Sequence, residues 1–164
     1  MVRKEKKSSE ETTQKISKTC SKIKELSQEN LYKSGYNQIK PNKRESQIGQ
    51  ILTDAEIRFK FHRIIEYQTL QNEHRKKEVD LFIRPKKIIE HNGTYNHADP
   101  RKYKSDDLIR EHGKIIKASE IWAREKIILK QIKKQGYKIL VIWEEDLLKD
   151  VENTTKKILK FAKL

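Results

Sequence analysis

The sequence is short of cysteine and of long apolar runs, and both shortages narrow what the protein can be. Cys20 is the only cysteine among the 164 residues. The chain can therefore form neither an internal disulfide nor a zinc site built from thiolates. No run of about 18 apolar residues occurs, so we expect no membrane span. The lysine-rich start is not followed by an apolar stretch, and we therefore expect no secretory signal.

Aromatic side chains are also scarce, at 7% of the residues, and hydrophobic residues reach only 34%. Without lysine and aromatic residues interleaved along a segment, the sequence offers no obvious platform on which RNA bases could stack. An RNA-binding role is therefore the weaker reading. The low apolar fraction also predicts that part of the chain is poorly packed.

Positive charge, in contrast, is abundant. Lysine and arginine number 38 against 24 acidic residues, which gives a net charge of +14 and a pI near 9.7. A charge of this size concentrates polyanions around the protein, and nucleic acid is the first candidate. The alternative is a lysine-rich protein without such a partner.

The chain divides into a basic extension, residues 1–50, and a folded domain, residues 51–164. Residues 1–13 are almost entirely polar and are expected to be disordered. A thin apolar stripe from Ile16 to Leu26 has helical spacing, and residues 30–50 have the composition of a linker or a small binding arm. The extension holds 12 of the basic residues and 6 of the acidic ones.

The folded domain has the pattern of an α/β protein. Thr53 to Glu56 has the form of a capping box that starts a helix with Ile57, Phe61 and Ile64 on one face. The later segments predict a hairpin, a polar loop, a helix, a buried central strand and a last helix, at 78–91, 92–105, 119–134, 137–143 and from about 151. A strand reached through a helix tends to lie parallel to its neighbour. We therefore expect a small mixed sheet, hairpin plus parallel strand, flanked by helices.

Asp80 and Glu90 are the first candidates for chemistry, because a tight hairpin could bring their carboxylates together. Two convergent carboxylates suit Mg²⁺, with Mn²⁺ as a substitute. Asp80 stands between Val79 and Leu81 in an apolar run, where aspartate is disfavoured. The alternative is that both acids are ordinary outward-facing strand residues.

Four further residues are candidates with strong structural alternatives. His97 could exchange protons near neutral pH, although a loop histidine is more often a surface residue. Glu56 could simply complete the capping box, and Glu125 could be an exposed charge on its helix. Asp99, before Pro100, is equally well a turn former.

Residues from about 52 to 147 resemble the very-short-patch repair (Vsr-like) endonucleases and the related phage-type homing endonucleases with an E-D-x-H-D pattern. Both groups belong to the PD-(D/E)xK nuclease superfamily. The resemblance rests on four segments in the correct order. These are Val79-Asp-Leu-Phe-Ile83, Ile88-Ile-Glu-His-Asn-Gly-Thr-Tyr-Asn-His97, Ile121-Trp-Ala-Arg-Glu125 and Gly136-Tyr-Lys-Ile-Leu-Val-Ile-Trp-Glu144.

The resemblance implies a restriction-endonuclease-like fold and Mg²⁺-dependent cleavage of double-stranded DNA. Asp80 would bind the metal with the backbone carbonyl of His91, and Glu90 falls at the second acidic ligand. His97 would act as general base or acid. Glu56, from the first helix, and Glu125 would complete the acidic set. The resemblance therefore implies that the protein acts where DNA is present. This would be the cytoplasm for a cellular or phage-encoded enzyme, or the nucleus of a eukaryotic host.

The sequence departs from the family pattern at several positions. Asn96 replaces the usual tryptophan before the histidine, Glu125 is longer than the usual aspartate, and Asn92 replaces a lysine. The cysteines of the structural zinc site found in some Vsr-like enzymes are also missing. The basic extension and the missing zinc ligands favour a homing or mobile-element nuclease over a mismatch-nicking repair enzyme. Asn92 and Asn96 keep open an inactive DNA-binding accessory protein on a nuclease fold.

Overall fold

The computed structural model of the chain describes residues 40–164, which form one compact unit, Lys40–Leu164. The expected helix from Ile16 to Leu26 lies outside the described residues. The described elements are α1 (Lys43–Asp54), β1 (Phe59–Gln68), β2 (His74–Ile83), β3 (Lys87–Asn92), β4 (Leu108–Glu111), β5 (Lys114–Lys117), α2 (Ala118–Lys134), β6 (Lys138–Trp143), α3 (Glu144–Lys149) and α4 (Val151–Lys163).

Four strands form one mixed sheet in the order β1-β2-β3-β6. The first three strands are antiparallel neighbours, and β6 pairs parallel to β3 after the crossover through α2. The expected α/β architecture, a hairpin plus a parallel strand flanked by helices, is confirmed. A separate antiparallel ribbon, β4 with β5, stands in the region after the polar loop and was not expected.

The first helix starts earlier than the sequence pattern suggested. Its capping box is Asn42 with Glu45, whose side chains each accept a hydrogen bond from the other's backbone N–H. Thr53 is not an N-cap, because it lies inside α1. Ile48 in this helix is fully buried, so the folded unit includes residues that we had assigned to the extension.

The segment after α1 is a strand, and the predicted helix through Ile57, Phe61 and Ile64 is wrong. On β1, Phe59 and Phe61 pack with one core cluster, whereas Ile65 and Tyr67 pack with the other. All four positions are odd-numbered, so the strand must turn over between them, and His62 there has a positive φ of 49°. Because of this change of face, the packed residues of β1 do not keep the period of two expected of a strand. The spacing of Ile57, Phe61 and Ile64 therefore resembles that of one face of a helix.

The β2–β3 hairpin, the helix that follows it and the stop at Gly136 are confirmed. The paired registers run from Leu81↔Ile89 to Ile83↔Lys87, around the turn that contains Pro85. Helix α2 spans Ala118–Lys134, and Gly136 takes the left-handed conformation with φ 86°, which favours glycine.

The expectation that the apolar strand Tyr137–Trp143 is central is wrong, because within residues 40–164 β6 is an edge strand paired only with β3. Its apolar residues face two ways. Leu140 and Ile142 join the core under α1 and α4, and Ile139 joins the core under α2. Helices pack on both faces of β6. This burial on both faces, rather than a central position in the sheet, explains why the strand is apolar throughout.

The sheet is therefore the middle layer between helices. One face carries α1 and α4, and the other carries α2. A third small cluster joins the loop after β3, the ribbon and the start of α2, through Ala98, Ile109, Ala118 and Ile121. Among the helices of residues 40–164, none has the length and hydropathy needed to cross a bilayer.

Candidate active site

Asp80 and Glu90 lie next to each other across the β2–β3 hairpin. Extending the register by one residue beyond Leu81↔Ile89 places them opposite each other. The Asp80 carboxylate accepts a hydrogen bond of 2.6 Å from the backbone N–H of His91, the residue after Glu90. The hairpin thus places the two acids opposite each other in the sheet. Whether they share one ion stays a prediction.

Burial disfavours the charged form of both acids. It raises the pKa of Glu90 to about 7, against the attraction of Lys77 and with the help of the negative charge on Asp80. Burial also raises the pKa of Asp80, although the His91 N–H works in the opposite direction. The same cause lowers the pKa of the His91 imidazole. Two adjacent carboxylates that resist ionisation form a place where a cation would be strongly stabilised.

Lys77 supplies a positive charge that the sequence reading missed. Its ammonium lies 3.3 Å from Glu90 Oε2. Val79 packs with Ile88 and Ile132 on the α2 side of the sheet, whereas Leu81 packs under α1 and α4, so β2 changes face near Asp80. Lys77, two residues before Val79, lies on the α2 side with Glu90. A regular alternation along the strand would have separated Lys77 from a site built around Asp80.

His97 and Glu125 form a direct pair, with Nδ1 and Oε1 2.5 Å apart. The side chains are about one-third and one-quarter exposed, so solvent and substrate can reach them. A carboxylate on Nδ1 fixes the imidazole tautomer and leaves Nε2 with the lone pair. The structure joins two residues, one from the loop and one from α2, that the sequence analysis had singled out separately.

The loop that carries His97 is held on both sides. The His97 N–H donates to the Gly93 carbonyl, and the Ala98 carbonyl accepts a 2.7 Å hydrogen bond from the indole of Trp122. Asp99 is fully buried and binds the guanidinium of Arg101, which keeps the pKa of Asp99 below its usual value. Asp99 is therefore a structural anchor of the loop, consistent with its reading as a turn residue.

Glu45 is an acidic residue near the site that the sequence reading missed. It is buried in α1, and its negative charge contributes to raising the pKa of Asp80. Its Oε2 lies 3.3 Å from Nε2 of His62, and the other ring nitrogen of His62 lies 3.1 Å from Glu78. The signal in the sequence was the Asn42-x-x-Glu45 capping box before apolar residues at helical spacing.

Glu56 does not join this group. It lies in the turn after α1, exposed and with a positive φ of 58°. It borders a different groove, with Thr53, Phe59 and Arg84 among its neighbours. The implied role of Glu56 as the acid of the first helix therefore has no support in the geometry, because the residue is neither in the helix nor at the cavity.

A small cavity of about 40 Å³ brings together Glu90, His97 and Glu125, whereas Asp80 is not among its wall residues. Its walls come from β2, β3, the following loop and α2, through Lys77, Glu90, Asn92, His97 and Glu125. Glu90 and Asn92 place it at the carboxyl end of β3, and open α/β sheets commonly bind ligands at the carboxyl ends of their parallel strands. The buried Oε1 of Glu90 has no hydrogen-bond partner within residues 40–164.

No cluster of three or more His, Cys, Asp or Glu side chains with metal-binding geometry occurs in the described part of the chain. A site for Mg²⁺ would therefore rest on two carboxylates and on groups that are not side chains. This donor set still fits the ion, since Mg²⁺ commonly keeps several waters and binds through one or two carboxylates. The unpartnered oxygen of Glu90 is a donor with unused capacity.

Comparisons with known proteins find a similarity to a solved structure. No protein-family model matches the sequence, and no curated protein matches it. Among solved structures, the catalytic domain of the homing endonuclease I-Bth0305I is similar, with 20% identity and a TM-score of 0.45, over 73% of this chain and 93% of that chain.

Proposed function

We propose that the protein is a Mg²⁺-dependent endonuclease that hydrolyses phosphodiester bonds of double-stranded DNA. One observation carries the proposal. The half-buried Asp80 lies opposite Glu90 across the hairpin, and the buried carboxylate of Glu90 lines a cavity that also holds the paired His97 and Glu125. This combination offers sites for a divalent cation and for proton transfer within one small space, on a protein of high positive charge.

Asp80 and Glu90 would hold the ion, with the backbone carbonyl of His91 as a further ligand and Mn²⁺ as a possible substitute. Buried negative charges are costly unless they are compensated, and Lys77 compensates only one oxygen of Glu90. When bound, the ion would lower the pKa of a bound water and neutralise charge that develops on the phosphate.

His97 would exchange the proton. With Nδ1 bound to Glu125, its Nε2 can accept a proton from the attacking water or return one to the leaving oxygen. Glu125 would then act as a positioning residue, because it fixes the imidazole and stabilises its protonated form, as a carboxylate does beside a catalytic histidine.

The resemblance implies an acidic residue on the first helix, and Glu45, rather than Glu56, would fill this role. It adds negative charge beside Asp80, which strengthens the attraction for a cation. Lys77, at the cavity wall, would support the negative charge of the phosphate. The homing or mobile-element role and the repair-nicking role both remain within this proposal, and the basic extension with the absent zinc cysteines favours the first.

Incubation of the full chain with supercoiled plasmid in Mg²⁺, Mn²⁺ or EDTA tests the proposal. We expect cleavage with either metal, none in EDTA, and none with Asp80→Asn. Asp106→Asn is a matched control, because Asp106 is exposed on a different segment, and it should cleave like the wild type. Metal-independent cleavage, or full activity of Asp80→Asn, would show that the assigned site is wrong.

A second function is an accessory protein that binds DNA without cutting it. It is favoured by Asn92, which is buried at the cavity in place of the superfamily's lysine. Retarded migration of DNA without nicking in any metal, unchanged in Asp80→Asn, would identify this function.

A further inference from the structure

A second concave surface lies beside the cavity. This surface, called here the tryptophan groove, runs between α2 and the edge strand β6 with a volume of about 760 Å³. The groove and the cavity share three wall residues, Asn92, Glu125 and Leu129. A ligand lying in the groove would therefore reach the proposed site of cleavage directly.

The rim of the groove is basic. Lys126, Lys130, Lys133 and Lys134 recur at helical spacing along α2 and all are exposed. Within residues 40–164, none of these four ammonium groups lies in an ion pair with an acidic side chain, whereas Lys102, Lys149 and Lys156 do. Charges that are not engaged with the protein are free to contact the phosphates of a polyanion.

The floor of the groove is apolar and aromatic. It contains Val141 and Leu129 together with Trp122 and Trp143, which are the only two tryptophans of the chain. Trp122 is held by its hydrogen bond to Ala98, and the guanidinium of Arg101 lies 5.8 Å from the ring centre of Trp143. Both indoles are half-buried, so their positions are fixed while part of each ring stays open.

The basic rim and the aromatic floor together indicate which form of nucleic acid fits the groove. An intact duplex presents phosphates outward and keeps its bases stacked inside, so a basic surface alone would serve it. A groove with a basic rim and a fixed aromatic floor suits a strand whose bases are exposed, since bases stack on aromatic rings while lysines follow the backbone. We propose that the tryptophan groove binds a single-stranded segment of DNA that leads into the cavity. This inference rests on the proposed nuclease function for the identity of the nucleic acid.

Because both tryptophans line the groove, the intrinsic fluorescence of the protein reports directly on its occupancy. The full chain in EDTA is titrated with a single-stranded oligonucleotide and with a blunt duplex of the same length. We expect tryptophan quenching by the single strand, and clearly less quenching by the duplex at equal bound fraction, measured in parallel by anisotropy of a labelled strand. Equal quenching by both DNAs, or none by either, would overturn the proposal.

Two variants of equal charge test the rim. One replaces Lys126, Lys130, Lys133 and Lys134 by alanine, and the control replaces Lys156, Lys157, Lys160 and Lys163 on α4, which are also exposed. If all four groove lysines contact phosphates, the slope of log affinity against log salt for single-stranded DNA should fall by roughly 3 in the first variant. A smaller change is expected in the control, and equal effects of the two variants would contradict the assignment.

The floor is tested by Trp143→Leu, which keeps an apolar side chain but removes the ring, and by Trp143→Phe, which keeps an aromatic face. Single-strand affinity should fall about five-fold or more in the first variant and largely recover in the second. Equal affinity of both variants and the wild type would exclude stacking. All these binding measurements are made without metal and are therefore independent of cleavage. Loss of single-strand binding with normal plasmid cleavage would contradict the groove alone, and normal binding without cleavage would contradict the proposed function alone.

Discussion

The two faces of the four-stranded sheet differ sharply in what they bury. The face under α1 and α4 buries mainly apolar residues, with Ile48, Leu52, Leu81, Ile89, Ile142 and Ile158 among them, and the buried Glu45 of α1 lies near its border. The face under α2 is apolar at one end only, around Val79 and Ile132. At its other end, Lys77, Glu90 and Glu125 surround the cavity.

The difference shows how a small domain can hold a site that is unfavourable for folding. Buried carboxylates such as Glu90 cost free energy when they are ionised, whereas burial of apolar surface supplies most of the stability. The apolar face can supply that stability while the other face holds charge near the surface. Residues of the α1 and α4 face should therefore control unfolding, and residues of the cavity should control activity.

The largest effect is expected for His97→Ala. If His97 transfers the proton, plasmid cleavage should fall about 10²- to 10⁴-fold, while the melting temperature changes little because the ring is partly exposed. His112→Ala is the matched control, since His112 is exposed in the turn of the β4–β5 ribbon. Cleavage that falls equally in both variants would contradict the division between the faces.

Leu81→Ala should give the largest loss of stability. Leu81 is fully buried in the α1 and α4 face, and removal of such a side chain costs about 2–5 kcal/mol of unfolding free energy. Urea denaturation measures the loss. Leu70→Ala, at a position that is 65% exposed, should change stability by less than about 0.5 kcal/mol. Similar losses in the two variants would show that the apolar face is not the main source of stability.

Gly49→Ala tests how closely α1 approaches the sheet. A Cβ at this position would lie 2.5 Å from Cζ of Phe61, whose ring also packs edge-on against Phe59. Overpacking should cost about 1–3 kcal/mol, measured by urea denaturation. Gly93→Ala is the control, because its Cβ would meet nothing within 4 Å. A neutral Gly49→Ala would mean that Phe61 moves aside freely.

The effect of Glu90→Gln on stability is expected to depend on pH. The pKa of Glu90 is raised to about 7 in the folded protein from a reference value of 4.5. Its favourable contribution is thus complete below 4.5 and is lost as the pH rises through about 7. Glutamine does not titrate, so in EDTA the variant should gain melting temperature relative to the wild type between pH 5 and pH 8. A difference in melting temperature that does not change with pH would contradict a raised pKa of the buried Glu90 carboxylate.

Magnesium should reverse that trend in the wild type. Binding to the folded state alone raises stability by mass action, and ionised carboxylates bind the ion better than protonated ones. The increase in melting temperature caused by Mg²⁺ should therefore be larger at pH 8 than at pH 6, and should be small in Glu90→Gln. An equal increase in both proteins would place the ion elsewhere.

Local sequence signals predicted the β2–β3 hairpin, helix α2 and the parallel strand β6, because turn residues and apolar periods act over a few residues. They failed at β1, where the change of face at His62 disguised the period of the strand. They also selected Glu56 over Glu45, since both glutamates occupy the last position of a possible capping box. Only packing against the sheet distinguishes the two, and Glu45 is the one that is buried.

The sequence by itself determined the high positive charge, the mixed α/β order of elements and the hairpin that brings Asp80 to Glu90. The tertiary structure decided which distant residues meet them: Lys77 through the change of face in β2, and His97 with Glu125 through the packing of α2 on the loop. These groupings depend on contacts between residues far apart in the chain. Local patterns of polarity do not determine such contacts, whereas the packing of the helices on the sheet does.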